Sequence, residues 1–167
     1  ACLVGSEMCI RDSGDIVLSA ASQQYGGFTV PSVDLILEPY AEKSYNRALA
    51  KYERLGVAAD VAEREALADV KKEFEQGFQG WEYKFNTVAS SRGDYPFITV
   101  TAGTGTGKFA KMATITMLEV RRKGQGKKDH KKPVLFPKIV FLYDENLHGP
   151  GKPLEDVFEA GVELSLI

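Results

Sequence analysis

Residues 90–122 constrain the fold most, because they read as loop, strand, glycine-rich turn and helix in direct succession. Residues 96–101 are β-branched and aromatic, which is the composition of a buried strand. Residues 102–107 alternate glycine with threonine, so the backbone can turn tightly and expose its N–H groups. A helix with one buried face is predicted next, because apolar positions recur at Phe109, Met112, Ala113, Thr116 and Val120. A strand that runs through glycines into a helix N-terminus is suited to bind an anion.

A phosphate-binding loop is one interpretation of this turn. That motif needs a glycine, four residues and then Gly-Lys-Ser/Thr. Gly107 and Lys108 fit its end, but Ala102 stands at the first glycine and Phe109 at the hydroxyl that binds magnesium. Phenylalanine cannot ligate magnesium, so nucleotide hydrolysis is not expected here. A stand-alone nucleotide-binding α/β module that uses residues 103–108 stays open as an alternative function, beside a turn that only connects strand to helix.

Two long amphipathic helices are predicted before this unit. The first begins after Ser32, a suitable N-cap, has Asp34 in its first turn and ends at Gly56, with Pro39 expected to kink it. The second covers residues 58–90, and its apolar residues recur every three or four positions, at Leu67, Val70, Phe74, Phe78, Trp81, Phe85 and Val88. Such a stripe suits a core-facing helix or a helix at a subunit interface. A helical oligomerisation domain is therefore a third hypothesis.

The other elements follow from composition and turn residues. Residues 14–25 are apolar and small, which predicts a helix, and residues 28–31 are expected to be extended. Residues 123–132 predict a solvated basic loop, residues 133–143 a second buried strand and residues 154–162 a last helix. Strand, helix, strand and helix in this order imply parallel strands with crossover connections.

The two histidines differ in their surroundings. His130 lies among lysines with no metal-ligand partner at a suitable spacing, so it is assigned no role. His148 lies in the turn-rich residues 144–153 and is the better candidate for function, although a surface histidine is the simpler expectation.

Composition excludes some function classes. The 167 residues are 44% hydrophobic and 26% charged, with a net charge of −2, so bulk charge does not predict a nucleic-acid partner. No apolar run approaches the length needed to cross a bilayer. The length suits one domain at most, with enough chain for a hydrophobic core.

Both ends of the chain match a translated sequencing adapter. The mosaic-end sequence AGATGTGTATAAGAGACAG encodes Met-Cys-Ile-Arg-Asp, found at positions 8–12, and its reverse complement encodes Leu-Ser-Leu-Ile, found at positions 164–167. We therefore expect residues 1–13 and 164–167 to be adapter-derived, and residues 14–163 to be an internal fragment of a longer protein. Cys2 and Cys9 both fall in the first of these segments, so their spacing carries no information on disulfides or metals.

Several motifs, taken in order, match one enzyme family. The most specific is Asn86-Thr87, followed by Ser91-Arg92-Gly93 and then Pro96-Phe97. The segment PKIVFLYDEN is the next, and YGGFTVPSVD, LEPYAEKSY and GTGKFAKM add to them. Together they resemble the anaerobic (class III) ribonucleoside-triphosphate reductases, the glycyl-radical enzymes that make deoxynucleotides, over nearly all of residues 14–163.

This resemblance implies an α/β fold, a partial ten-stranded α/β barrel of the glycyl-radical enzyme type with long paired helices. In that family a radical on a C-terminal glycine generates a cysteine thiyl, which removes the 3′ hydrogen of a ribonucleoside triphosphate; formate or a thiol system is the reductant. The family also implies an iron–sulfur S-adenosylmethionine activase that installs the radical, and a structural zinc. Residues 14–163 contain no cysteine and none of these groups, so the fragment alone is expected to hold no cofactor and to be inactive.

The resemblance also implies which residues meet nucleotides. In this class a loop before a barrel strand relays effector identity to the substrate base, and that loop corresponds to Ser90, Ser91, Arg92, Gly93 and Asp94. The guanidinium of Arg92 is suited to a phosphate or a base edge. Thr99 and Thr101 share one strand face and are expected to face the barrel interior.

The expected partners follow from the same family. They are a ribonucleoside triphosphate substrate, ATP and dNTP effectors, the activating enzyme and a second copy of the protein that packs against the paired long helices. The expected location is cytoplasmic, with no membrane or nucleic-acid partner.

Overall fold

The computed structural model describes residues 6–24, 26–87, 97–127 and 130–166 of the chain. In these ranges the protein is mostly helical, with a small sheet of three parallel strands. The elements in order are α1 (Ser6–Ser22), β1 (Phe28–Val30), α2 (Val33–Arg54), α3 (Ala59–Thr87), β2 (Ile98–Ala102), α4 (Lys108–Lys123), β3 (Lys138–Phe141), α5 (Glu145–His148) and α6 (Glu155–Ser165).

The sheet confirms the predicted parallel pairing. Its order is β1-β2-β3, with Thr29 opposite Thr99 and Val100 opposite Ile139. The central strand β2 alternates buried and half-buried residues, so one of its faces packs on the core. β3 is shorter than the predicted strand, because the carbonyl oxygens of Val134, Phe136 and Pro137 accept hydrogen bonds from side chains of α3 and α4.

Helix α3 is the centre of the core, as its periodic stripe predicted. Val70, Phe74 and Phe85 are fully buried, and Phe78 and Trp81 nearly so. The rings of Phe74, Phe78, Trp81 and Phe85 follow one another at centroid distances of 6.0, 5.9 and 5.7 Å. α1, α2 and α4 all pack against this helix. Leu67 is only half-buried, and Val88 lies outside the described residues.

Helix α1 begins earlier than predicted and runs across position 13 without a break. Ile10 in it is fully buried against Gly77 of α3, where an added Cβ would come within 2.7 Å of the isoleucine. The adapter boundary after residue 13 therefore coincides with no element boundary, and it stays a prediction.

Helix α2 begins as predicted after Ser32, but the serine does not cap it through its side chain. Ser32 has φ 46° and ψ 53°, in the left-handed region, and its hydroxyl makes no capping hydrogen bond. Its backbone N–H donates instead to Thr101 Oγ1 at 2.8 Å, which ties the start of α2 to β2. α2 continues through Pro39 to Arg54.

In the described part of the chain, no helix combines the length and the apolar character that crossing a membrane requires.

Candidate functional site

The glycine-rich turn between β2 and α4 binds a carboxylate of the protein itself. The backbone N–H groups of Gly103 and Gly105 donate to Asp34 Oδ2 at 3.0 and 2.9 Å. Asp34 comes from the first turn of α2 and is only 1% exposed. Thr114 of α4 also places its hydroxyl 3.5 Å from the same oxygen. The turn is therefore an anion site, as its sequence predicts, and Asp34 supplies the anion.

The close approach of Asp34 explains why this turn needs glycines. A Cβ at Gly105 would lie 2.9 Å from Asp34 Oδ2 and 2.5 Å from the Cβ of Ala110. Gly103 has a φ of 131°, a backbone conformation that residues with a side chain rarely adopt. A Cβ added at Gly103 would lie 2.8 Å from the carbonyl oxygen of Leu142. Larger residues at either position would separate the turn from α2 or from β3.

A second carboxylate lies against the start of α4. The side chain of Glu38, one helical turn after Asp34, occupies the space that a Cβ of Gly107 would need. Both acids lie near the positive end of the α4 dipole, where negative charge is favourable. Phe109, which replaces the magnesium-binding hydroxyl of a phosphate-binding loop, packs on Tyr45 with ring centroids 5.5 Å apart. This arrangement disfavours the alternative in which residues 103–108 bind a nucleotide.

His148 is buried, so the expectation of a surface histidine is wrong. It is 1% exposed and stacks on Tyr143 with ring centroids 5.4 Å apart. Its Nε2 lies 2.7 Å from the carbonyl oxygen of Gly103, so Nε2 must carry the proton. Nδ1 accepts a hydrogen bond of 3.0 Å from the backbone N–H of Asp144. Both ring nitrogens therefore have backbone partners, and His148 holds the Gly103 carbonyl group while Asp34 holds its N–H group.

The strand threonines share one face, as predicted. Thr99 and Thr101 are both half-buried, while Ile98, Val100 and Ala102 on the other face of β2 are buried. Thr101 already accepts a hydrogen bond from Ser32, so its hydroxyl links two elements. The remaining candidate residues, Ser90, Ser91, Arg92, Gly93 and Asp94, lie outside the described residues.

The end of α3, just before those residues, is fixed by polar side chains. Asn86 pairs with the backbone of Phe136 twice: Nδ2 donates to its carbonyl oxygen at 2.6 Å, and Oδ1 accepts from its N–H at 3.1 Å. Arg121 of α4 donates to Glu82 Oε1 at 2.7 Å and to the Pro137 carbonyl oxygen at 2.6 Å. Burial raises the pKa of Glu82, and the Arg121 guanidinium beside it opposes that shift.

A basic cleft of about 670 Å³ lies between α2 and α3. Arg47, Lys51 and Arg54 line it from α2, and Lys72 lines it from α3. The acid Asp69 in the same cleft accepts a hydrogen bond of 2.8 Å from Tyr52, which raises the pKa of that tyrosine. Glu73 lines the cleft as well, so its four cations exceed its two acids, and this net positive charge suits a phosphate-bearing ligand.

The sequence analysis assigned no binding role to any residue of this cleft, although the spacing of the basic residues in α2 indicated a basic helix face. The three α2 cations are spaced four and three residues apart, which places them on one helix face.

Among the described residues, no group of three or more His, Cys, Asp or Glu is placed to hold a metal ion.

Comparison with known proteins agrees with the resemblance seen in the motifs. The family model described as anaerobic ribonucleoside-triphosphate reductase matches residues 7–165. The chain is 37% identical over 133 residues to the anaerobic ribonucleoside-triphosphate reductase of Enterobacteria phage T4, an alignment that covers 80% of the chain and 21% of the relative. It is 36% identical over 152 residues to the reductase of the same name from Haemophilus influenzae, covering 90% of the chain and 21% of the relative.

The Escherichia coli protein of that name is 31% identical over 154 residues, again over 90% of the chain and 21% of the relative. The chain thus spans about a fifth of the length of the curated relatives it matches. Because the family model covers nearly the whole chain, the chain belongs to the anaerobic ribonucleoside-triphosphate reductase family.

Proposed function

We propose that the chain is one portion of an anaerobic reductase that converts ribonucleoside triphosphates to deoxyribonucleotides by glycyl and thiyl radical chemistry. The family match over residues 7–165 carries this proposal. The parallel order β1-β2-β3, with helices between the strands, is compatible with three neighbouring strands of a ten-stranded α/β barrel. A cytoplasmic location is part of the same proposal.

The radical residues are proposed to lie in other parts of the reductase. The chain has two cysteines, Cys2 and Cys9, and both fall in the segment expected to be adapter-derived. Generation of the glycyl radical by the activase, and any structural zinc, would then depend on sequence beyond this chain. The chain by itself is expected to be inactive as a reductase.

The paired helices α2 and α3 are proposed to bind the effector nucleotide and to pack against a second copy of the protein. The cleft between them supports the first part, because its cations lie together on one helix face of α2. Leu35 and Ile36 support the second part, because each is 47% exposed on α2 and offers an apolar surface. Substrate contact by Ser90, Ser91, Arg92, Gly93, Asp94, Thr99 and Thr101 remains part of the proposal.

Nucleotide binding by the purified chain tests the effector part. Equilibrium dialysis with ATP and each dNTP should give saturable binding, and the double variant Lys51→Ala, Arg54→Ala should weaken it about tenfold or more. The matched control is Lys127→Ala, Lys152→Ala, which removes two exposed cations far from the cleft in sequence and should leave the affinity unchanged. Equal affinities in the two double variants would show that the cleft does not bind the nucleotide.

Extension of the genomic locus tests the reductase assignment. Sequencing without the adapter should reveal, downstream, a cysteine-bearing loop and then a glycyl-radical segment near a four-cysteine cluster. A frame that closes near Gly14 and Glu163 would contradict the proposal and leave a small nucleotide-binding protein as the better interpretation.

A further inference from the structure

A second cleft, of about 530 Å³, lies along one face of α4, and we call it the α4 cleft. The side chains that α4 contributes recur at intervals of three and four residues, so they share one helix face: Lys108, Lys111, Met112, Ile115 and Thr116. Lys71 of α3, Thr106 of the glycine turn and Asp156 of α6 complete the lining. The basic cleft between α2 and α3 shares no lining residue with it.

One end of the α4 cleft is positively charged, because three lysines and one acid line it. Lys108 is exposed and, among the described residues, lies over a tyrosine ring instead of pairing with an acid. Lys71 pairs with Glu119 at 3.2 Å, and Lys111 pairs with Asp156 at 2.8 Å. Both pairs are partly exposed to solvent, so a phosphate group can compete with either carboxylate for its lysine.

The other end of the α4 cleft is apolar and contains one unpaired hydroxyl. Met112 and Ile115 are half-buried there, so each leaves part of its apolar surface open. Thr116 is fully buried, and its Oγ1 has no hydrogen-bond partner among the described residues. Thr114, two residues earlier, makes the usual bond within its helix, to the Ala110 carbonyl oxygen at 3.3 Å. Because buried hydroxyls are rarely left unpaired, a ligand atom in the cleft is a suitable partner for Thr116.

We propose that the α4 cleft binds a nucleoside di- or triphosphate, as a site separate from the proposed effector cleft. The phosphate groups contact Lys71 and Lys108, and the base packs on the apolar end, where Thr116 bonds one of its polar atoms. Lys108 and Thr116 lie eight residues apart, about 12 Å along the helix, so one extended ligand can reach both ends. Asp34 already occupies the N–H groups of the glycine turn, so lysine side chains hold the phosphates, unlike in a phosphate-binding loop.

Equilibrium dialysis with ATP tests the proposal in the background variant Lys51→Ala, Arg54→Ala, which lacks two cations of the basic cleft. Saturable binding that remains in this background reports the α4 cleft. Adding Lys71→Gln and Lys108→Gln should weaken it about tenfold or more, because two cations that contact phosphate are lost. No saturable binding in the background, or unchanged affinity after the added changes, would overturn the proposal. The effector proposal is judged separately, by comparing wild type with the background variant.

The matched control adds Lys43→Gln and Lys123→Gln to the same background. Lys43 lies over a tyrosine ring at 5.5 Å, as Lys108 does, and Lys123 pairs with an acid of α3, as Lys71 pairs with an acid of α4. The control therefore removes two cations with the same kinds of partner from outside the cleft, and its ATP affinity should stay within about twofold of the background. An equal loss in the control would overturn the proposal. If the cleft variant fails to fold, Lys108→Gln alone takes its place.

Tripolyphosphate, a second probe, separates the two ends of the ligand. It lacks the ribose and the base, so the background variant should bind it about tenfold more weakly than ATP. Thr116→Val in the same background keeps the shape of the side chain but removes the hydroxyl. Its affinity for ATP should fall about fivefold, while its affinity for tripolyphosphate should not change. Equal affinities of the background for the two probes, or an unchanged ATP affinity in Thr116→Val, would overturn the assignment of a nucleoside to this cleft.

Discussion

The Oδ2 atom of Asp34 lies 2.9 Å from the backbone nitrogen of Gly105, although 71 residues separate them in sequence. The same oxygen also accepts from Gly103, so one carboxylate satisfies two N–H groups of the turn. A glycine-rich turn at a helix N-terminus is commonly expected to bind a phosphate. Here the negative charge comes from Asp34 of α2, and the turn joins α2 to the sheet.

Asp34→Ala should destabilise the chain by about 2–4 kcal/mol, because it leaves two buried N–H groups without an acceptor. Asp34→Asn keeps an acceptor of the same shape and should cost less, about 1 kcal/mol. Urea unfolding followed by circular dichroism measures both. The matched control is Asp60→Ala, which removes an exposed acid from the first turn of α3 and should cost no more than about 1 kcal/mol. Equal losses at the two positions would contradict the assigned role of Asp34.

Two glycine-to-alanine changes should have opposite effects. Gly105→Ala should destabilise by about 1–3 kcal/mol, because the new methyl group would meet Ala110 and Asp34. Gly80→Ala, inside α3 with nothing within 4 Å of its added Cβ, should stabilise by about 0.5–1 kcal/mol through its higher helix propensity. Thermal unfolding of the two variants under one buffer checks the sign of each. A stabilising Gly105→Ala would mean that the turn is more open than the structure shows.

The two histidines should respond differently to substitution. His148→Ala removes the partners of the Gly103 carbonyl oxygen and the Asp144 N–H and leaves a cavity beside Tyr143, so a loss of about 2–4 kcal/mol is expected. His130→Ala changes an exposed side chain and should stay within about 0.5 kcal/mol of wild type. Urea unfolding at neutral pH compares them. Equal stability of the two variants would mean that the hydrogen bonds and ring packing of His148 do not stabilise the fold.

The pH dependence of the unfolding free energy should show the contribution of Glu82. Its pKa in the folded chain is raised above the ordinary 4.5 by burial, with Arg121 opposing the shift. The folded state therefore binds a proton more tightly than the unfolded state, so this group's contribution to stability is present at low pH and declines as pH rises above 4.5. Glu82→Gln cannot titrate and lacks this decline.

Unfolding free energies at pH 4 to 7 for wild type and Glu82→Gln provide the measurement. The advantage of wild type over the variant should shrink as pH rises through the window above 4.5. A wild-type advantage that grows over this range would mean that the ion pair with Arg121 outweighs burial. Glu63→Gln, which removes an exposed acid from α3 far from Glu82, controls for general charge effects.

Local patterns predicted the elements well. The stripe of apolar residues in α3 predicted both the helix and its buried face, because the period of a helix is visible in the spacing of its apolar residues. The parallel strands followed from the alternation of strand and helix. What a local pattern could not show was the partner of each polar group: Asp34 lies 69 residues from Gly103, and His148 lies 45 residues from it. The basic face of α2 had a visible spacing, but the cleft required α3 to be placed beside it.

The bond between Asp34 and the glycine turn also bears on the order in which the chain can fold. A peptide that contains only β2, the turn and α4 has the glycines but lacks the Asp34 carboxylate that accepts from their N–H groups. The conformation of the turn is therefore not stabilised in such a peptide. The docking of α2 supplies the acceptor and the neighbouring acid Glu38 together. The start of α4 and the start of α2 should therefore gain protection from exchange in a single cooperative step, rather than as two independently folding pieces.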